Sequence, residues 1–304
     1  MTPEQLKTVV ASGLLSFPVT DFDSRDEFDP AAYASRIEWL GQYGARALFP
    51  AGGTGEFFSL SAREYSAVVD TAVRACRSAA AVIATSGFGT RAAIDYAKEA
   101  ERLGADGLLL FPPYLAECPQ RGLREHIAAV CRATRLGVIV YSRSNMRLKA
   151  ETLLQLAEDC PNLIGFKDGV GDLDELLQIR SLVGQRLVCI NGMPTAEIFA
   201  EAFRGMGVLA YSSAIFNFVP KSAMSFYNAL AAGDQAFVER FTRNFLAPYG
   251  KLRARQPGYA VSVVKAGVDL VGHGAGKVRP PLANLTEDER RELADLIARL
   301  GPQD

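Results

Sequence analysis

Eight short apolar runs alternate with amphipathic helical stretches between Leu14 and Tyr211, and no glycine-rich dinucleotide fingerprint follows the first run. Together these observations predict an α/β fold of the (β/α)8 TIM barrel class, because an open doubly wound sheet uses fewer strands. From about Ser222 the pattern is helical only, which adds a C-terminal helical bundle. The expected organisation is a barrel carrying the active site over residues 1–221 and a helical extension over 222–304.

Taken in order, the predicted strands are Leu14 to Phe17, Ala47 to Pro50, Ala81 to Ala84, Gly107 to Phe111, Val138 to Tyr141, Leu163 to Lys167, Leu187 to Ile190 and Val208 to Tyr211. Each is short and ends at Gly, Pro, Ser or a polar residue, as fully covered parallel strands do. Between them, Ala31 to Tyr43, Ala62 to Arg77, Arg91 to Leu103, Gly122 to Ala133, Ala150 to Asp159, Leu173 to Leu182 and Thr195 to Phe203 space their apolar residues by three and four, the helical period. The C-terminal helices are expected over Phe226 to Ala232, Ala236 to Tyr249, Tyr259 to Leu270 and Glu287 to Leu300. Thr286 with Glu289 three residues on reads as a capping box for the last of these.

With 49% apolar residues the chain can build a substantial core. Thirty-three Lys and Arg against 34 Asp and Glu leave a net charge of −1, with no basic stripe, so no nucleic-acid partner is expected. No apolar run is long enough to span a bilayer and the N-terminus has no signal-peptide pattern, so no membrane association and a cytoplasmic location are expected. Five cysteines without C-x-x-C spacing read as reduced core thiols. His126, in a helical stretch, and His273, in a glycine-rich turn, lack ligand spacing and read as solvent-facing or capping residues. Neither a metal nor an organic cofactor is called for. Gly272 to Lys277 lacks the Ser or Thr of a phosphate loop and follows no strand.

Catalytic groups of a barrel sit at the C-terminal ends of its strands. Lys167 stands there, and by alternation it shares the inward face with Gly165 while Phe166 and Ile164 share the face toward the helices. An ammonium that loses hydration without a partner has its pKa lowered, and the neutral amine is a nucleophile toward ketones. This window alone is equally compatible with a strand-end lysine whose ammonium reaches water. The same count puts Tyr141 at the inward tip of the neighbouring strand, within reach of the same ligand, although a rim aromatic fits that position too. After the second strand, Ala51-Gly52-Gly53-Thr54-Gly55-Glu56 can present backbone N–H groups to a carboxylate, and Thr54 adds a hydroxyl. Gly192 after strand seven and Ser212 after strand eight complete a polar mouth over apolar strands. Lys265 lies in an apolar helical window outside the barrel and reads as a snorkelling lysine.

These residues resemble the dihydrodipicolinate synthase and N-acetylneuraminate lyase family of Schiff-base barrels nearly from end to end. Gly52 to Glu56 is similar to the family's carboxylate loop, Tyr141 to its catalytic tyrosine and Lys167 to its imine-forming lysine. The resemblance implies that Lys167 attacks the C2 ketone of a 2-oxo acid, that Tyr141 shuttles protons and is positioned by Thr54, and that the N–H groups of Gly53 and Thr54 bind the C1 carboxylate. It also implies a homotetramer built as a dimer of dimers. Phe17 to Asp23, Phe57 to Leu60, Lys167 to Gly169 and Tyr211 to Phe218 are most similar to the branch that dehydrates and decarboxylates a 2-oxo sugar diacid, so a small-molecule sugar acid is the expected partner. The chain departs from the synthase branch in two places. Leu115, not a second tyrosine, follows Pro113-Tyr114, and Met146 stands where that branch has an arginine. Arg143, Ser144 and Asn145 instead offer a cation and two hydrogen-bonding groups to a distal carboxylate or hydroxyls. A retro-aldol lyase on a related 2-oxo acid and a non-catalytic sugar-acid-binding barrel remain as alternatives, the latter expected to lack Lys167, Tyr141 or Thr54.

Overall fold

Strands covered on both faces need apolar side chains on each, and the apolar runs do form one set of parallel strands. In a computed structural model of the chain, which describes residues 1–76, 79–114 and 117–301, these are β1 (Leu15–Ser16), β2 (Ala47–Leu48), β3 (Ala81–Ser86), β4 (Gly107–Leu110), β5 (Gly137–Ser142), β6 (Leu163–Asp168), β7 (Val188–Asn191) and β8 (Ser212–Ser213). They pair in the order β7-β6-β5-β4-β3-β2-β1-β8, and a parallel bridge between Asn191 and Tyr211 joins the two ends of that order. The (β/α)8 barrel is therefore present, with helices outside. Two sequence expectations, the end of a helix at Arg77 and the departure at Leu115, fall outside the described residues.

Three details differ from the sequence reading. The eighth strand falls at Ser212–Ser213, just past the apolar run Val208 to Tyr211. In that run, Ala210 O accepts from Asn191 N at 2.9 Å, and Tyr211 O accepts from Leu15 N at 3.1 Å. The run thus closes the ring, and paired residues with β1 begin only at Ser212. A helix, Pro3–Ala11, precedes β1 where no element was expected, started by a capping box of Thr2 and Gln5. Its Leu6 and Val10 join Ile83, Leu109, Ile139 and Ile164 in the cluster that fills the barrel interior. Gly107 and Gly137, at the starts of their strands, admit it, since a β-carbon added at Gly107 would lie 2.2 Å from Leu6 Cδ2. Finally, the pairing of β5 with β6 shifts between Val138 and Ile139, so Val138 faces Leu163 while Ile139 faces Gly165. That irregularity turns Ile164 into the barrel, away from the helix-facing side expected for it, while Phe166 packs outward with the helices.

Beyond β8 the chain is helical, with Pro220–Ala232, Gln235–Phe241, Ala247–Arg253, Tyr259–Leu270 and Glu287–Ala298 as its main segments. The expected capping box is made: Glu289 N donates to Thr286 Oγ1, and Thr286 N to Glu289 Oε2 at 3.0 Å. His126 is buried rather than solvent-facing, because helix Gln120–Arg132 turns it onto Thr90, whose Oγ1 lies 2.9 Å from Nδ1. His273 stacks on Trp39 with ring centroids 4.0 Å apart. Among the described residues none of the five cysteines is in a disulfide, and Cys118 and Cys189 are only partly buried. Among the described residues, no helix is long and apolar enough to cross a membrane.

Candidate active site

Register brings the two principal side chains together. Tyr141 and Lys167 are direct partners in the β5–β6 ladder, and both point into the barrel mouth, 5% and 4% exposed. Lys167 Nζ stands 3.9 Å from the centroid of the Tyr141 ring and 5.0 Å from that of Phe17. No carboxylate lies within ion-pairing distance of it among the described residues. Burial therefore holds the Lys167 amine below its ordinary value of 10.5; attraction to Tyr141 opposes that shift and the Arg143 cation reinforces it. Burial pushes the Tyr141 phenol up, but the Lys167 and Arg143 charges outweigh it and leave Tyr141 below its ordinary 10.0.

The phenol is held by two contacts. Tyr141 Oη donates to the Gly192 carbonyl at 2.6 Å and accepts from Arg143 Nη1 at 3.1 Å. Thr54, expected to position Tyr141, makes no hydrogen bond to it. The Gly192 carbonyl, in the turn after β7, is the acceptor of the phenol instead. Gly165, on the inward face with Lys167, does not make room for it, since a β-carbon there would press on Ile139 at 3.2 Å. The glycine that admits the lysine is Gly192, where a β-carbon would stand 2.6 Å from Lys167 Cγ and 2.9 Å from the Asp168 carbonyl. Gly169 does the same for Tyr141, at 2.7 Å from the ring. Asp168 turns the other way, is buried, and accepts from the N–H groups of Val170 and Gly171 through Oδ1, which shapes the turn carrying Gly169.

The loop after β2 is fixed by packing at both ends. A β-carbon at Gly52 would collide with Phe17 at 2.1 Å, and one at Gly55 would reach the Pro18 carbonyl at 3.0 Å. At Gly53 the nearest atom would be Phe111 Cζ at 4.0 Å, on the cavity side. Neither the Gly53 nor the Thr54 N–H donates to a protein acceptor among the described residues. Glu56, with φ 57°, ends the loop fully buried, and its Oε1 accepts from Lys265 Nζ at 2.7 Å. Lys265 therefore does not snorkel: it is 2% exposed, tied also to the Lys277 carbonyl at 2.8 Å, and outside the cavity. Its partner, 209 residues away in sequence, compensates for the desolvation that an apolar helix face would otherwise impose.

One cavity of about 920 Å³ collects every residue singled out from the sequence: Lys167, Tyr141, Thr54, Gly53, Asn145, Ser144, Arg143, Gly192 and Ser212 all line it. Asn145 Nδ2 donates to the Pro113 carbonyl at 3.0 Å. Sequence reasoning named Gly169 without its role beside Tyr141, and missed the wall that Arg253, Gln256 and Val261 contribute from the C-terminal helices. Gly169 carried a weak signal, a glycine two residues past a strand-tip lysine; the helical wall carried none. Among the described residues, no group of three or more His, Cys, Asp and Glu is placed to hold a metal ion.

The sequence profile described as the Dihydrodipicolinate synthetase family matches residues 10–300. The probable 5-dehydro-4-deoxyglucarate dehydratase of Leptothrix cholodnii is 57% identical over 303 residues, covering 100% of both chains. That of Azotobacter vinelandii is 54% identical over the same length and coverage. Among solved structures, dihydrodipicolinate synthase from Oceanobacillus iheyensis superposes with a TM-score of 0.89 at 25% identity, covering 98% of this chain and 99% of that one. The chain belongs to the dihydrodipicolinate synthetase family.

Proposed function

We infer that the chain is a Schiff-base-forming lyase that dehydrates and decarboxylates 5-dehydro-4-deoxyglucarate; relatives at more than 50% identity are named probable 5-dehydro-4-deoxyglucarate dehydratase. The observation that carries the chemistry is a buried lysine without a carboxylate partner, in register with a phenol, at the floor of a large cavity. Such an amine is neutral more readily than an ordinary lysine and adds to a ketone.

In this reading Lys167 adds to the C2 ketone of the 2-oxo diacid, and Tyr141 moves protons as the carbinolamine forms and loses water. The unpaired N–H groups of Gly53 and Thr54 bind the C1 carboxylate, and Thr54 adds its hydroxyl. The iminium acidifies C3–H. Loss of that proton and of the C4 hydroxyl, as water, leaves an alkene conjugated to the iminium. The C5–C6 bond then gives its electrons to this system as carbon dioxide departs. Reprotonation and hydrolysis free the lysine and yield 2,5-dioxopentanoate. Ser144, Asn145, Gly192 and Ser212 would bind hydroxyls along the path. We further propose a cytoplasmic homotetramer, a dimer of dimers, supported by the exposed Leu173 and Leu177 one turn apart on helix Leu173–Val183; a sedimentation mass of a single chain would contradict it.

The test is a product assay on 5-dehydro-4-deoxyglucarate. One carbon dioxide and one semialdehyde per substrate are expected. Pyruvate release would make the chain a retro-aldol lyase, and binding without turnover would make it a sugar-acid-binding barrel.

A further inference from the structure

The charge lining the cavity is one-sided. Lys167, Arg143 and Arg253 reach it, and among the described residues that line it there is neither Asp nor Glu. A wall of this kind favours a ligand carrying more than one negative charge. Two of the three cations are already committed. Lys167 is the amine of the imine, and Arg143 donates to the Tyr141 hydroxyl. Arg253 differs from both.

Arg253 is the last residue of helix Ala247–Arg253, where its side chain leaves the C-terminal helices and reaches the barrel mouth. It makes neither an ion pair nor a hydrogen bond to any described residue, and its Nε is buried without a partner. Neighbouring arginines are not left so. Arg255 pairs with Glu292 at 2.7 Å, Arg279 with Glu64 at 2.6 Å and Arg290 with Asp269 at 2.5 Å. Arg253 thus brings a guanidinium without a protein acceptor to the cavity wall, where it fits an acceptor arriving from within the cavity. A guanidinium is also shaped to take a carboxylate through two parallel hydrogen bonds.

We propose that Arg253 anchors the far carboxylate of the substrate, so that the C-terminal helices rather than the barrel set the preference for a 2-oxo diacid over a 2-oxo monoacid. This rests on the reading of Lys167 as the imine-forming residue. It divides the site into two ends, with the C1 carboxylate at Gly53 and Thr54 and the C6 carboxylate at Arg253. When C6 leaves as neutral carbon dioxide the second anchor is lost, which favours release of a product holding a single carboxylate. Arg253 acts on the bound substrate before that step, so its loss should raise KM far more than it lowers kcat.

The test uses two unreactive six-carbon analogues, 2-oxoadipate and 2-oxohexanoate, which differ only in the far carboxylate. Each is titrated into the full-length protein, reduced with borohydride and read by intact mass. The wild type should be half-saturated by the diacid at a concentration about tenfold to a hundredfold below that for the monoacid, the range for a charge-assisted hydrogen-bonded pair. Arg253→Met should erase that gap by raising the diacid value alone. Arg253→Gln, which keeps more of the stem's polarity, should do the same and serves if the first variant does not fold. A gap that survives both substitutions, a gap abolished by Arg143→Gln with Arg253 in place, or a wild type without a gap would each overturn the proposal. A wild type that traps neither acid would bring down the Lys167 reading and this inference with it, an outcome distinct from equal trapping of the two.

Discussion

Tyr141 and Lys167 face each other across one ladder position, so each charge acts on the proton affinity of the other group. Because only the neutral amine adds to a ketone, borohydride trapping should speed up as pH rises, through a midpoint below 10.5, and level off above it. A midpoint at or above 10.5 would mean that burial does not act on this amine. Tyr141→Phe keeps the ring under Lys167 and removes the hydroxyl, so folding should hold while turnover falls by about 10²–10⁴, the usual worth of a general acid–base group. Imine should still be trapped on long incubation. Activity within about threefold of the parent would assign the proton transfers to another group. Both side chains were legible in the sequence because strand alternation points them inward. What holds them was not, since Gly169 and Gly192 act through space a β-carbon would fill, and the Gly192 carbonyl replaces Thr54 as partner of the phenol.

The elements explain why a C-terminal helix matters to a loop at the barrel mouth. Lys265 of helix Tyr259–Leu270 and the Arg279 N–H both hold the Glu56 carboxylate, and Glu56 closes the segment that presents the Gly53 and Thr54 N–H groups. Lys265→Met would leave Glu56 buried beside a single N–H, so a loss of about 3–5 kcal/mol is expected in denaturant unfolding, with a rise in KM as the loop loses its tether. Adding Glu56→Gln should recover part of the stability, and a double-mutant cycle reads the coupling. Additive losses would mean that the pair is not a unit. The helix itself was predicted from Tyr259 to Leu270 and found there. Its lysine was misread because periodicity shows that a helix has an apolar face but not which distant residue meets it. The same limit applies to β6, where a bulge with β5 turned Ile164 into the barrel against simple alternation.

For the molecule as a whole, the barrel was legible because each strand–helix unit writes its own local pattern. The helix Pro3–Ala11 that plugs the barrel floor was not, since its Leu6 finds Gly107 and Gly137 only after the ring closes. The cationic wall at Arg253 is another product of closure, drawn from helices that follow the last strand. The proposed chemistry turns on one bond, between Lys167 Nζ and C2 of a 2-oxo diacid. The most direct measurement is borohydride reduction during turnover of 5-dehydro-4-deoxyglucarate, followed by digestion and mass analysis of the lysine-containing peptides. The adduct is expected on Lys167 alone, and Lys167→Ala should yield none while keeping its fold. An adduct on Lys265 or any other lysine, or turnover that leaves no adduct at all, would contradict the account.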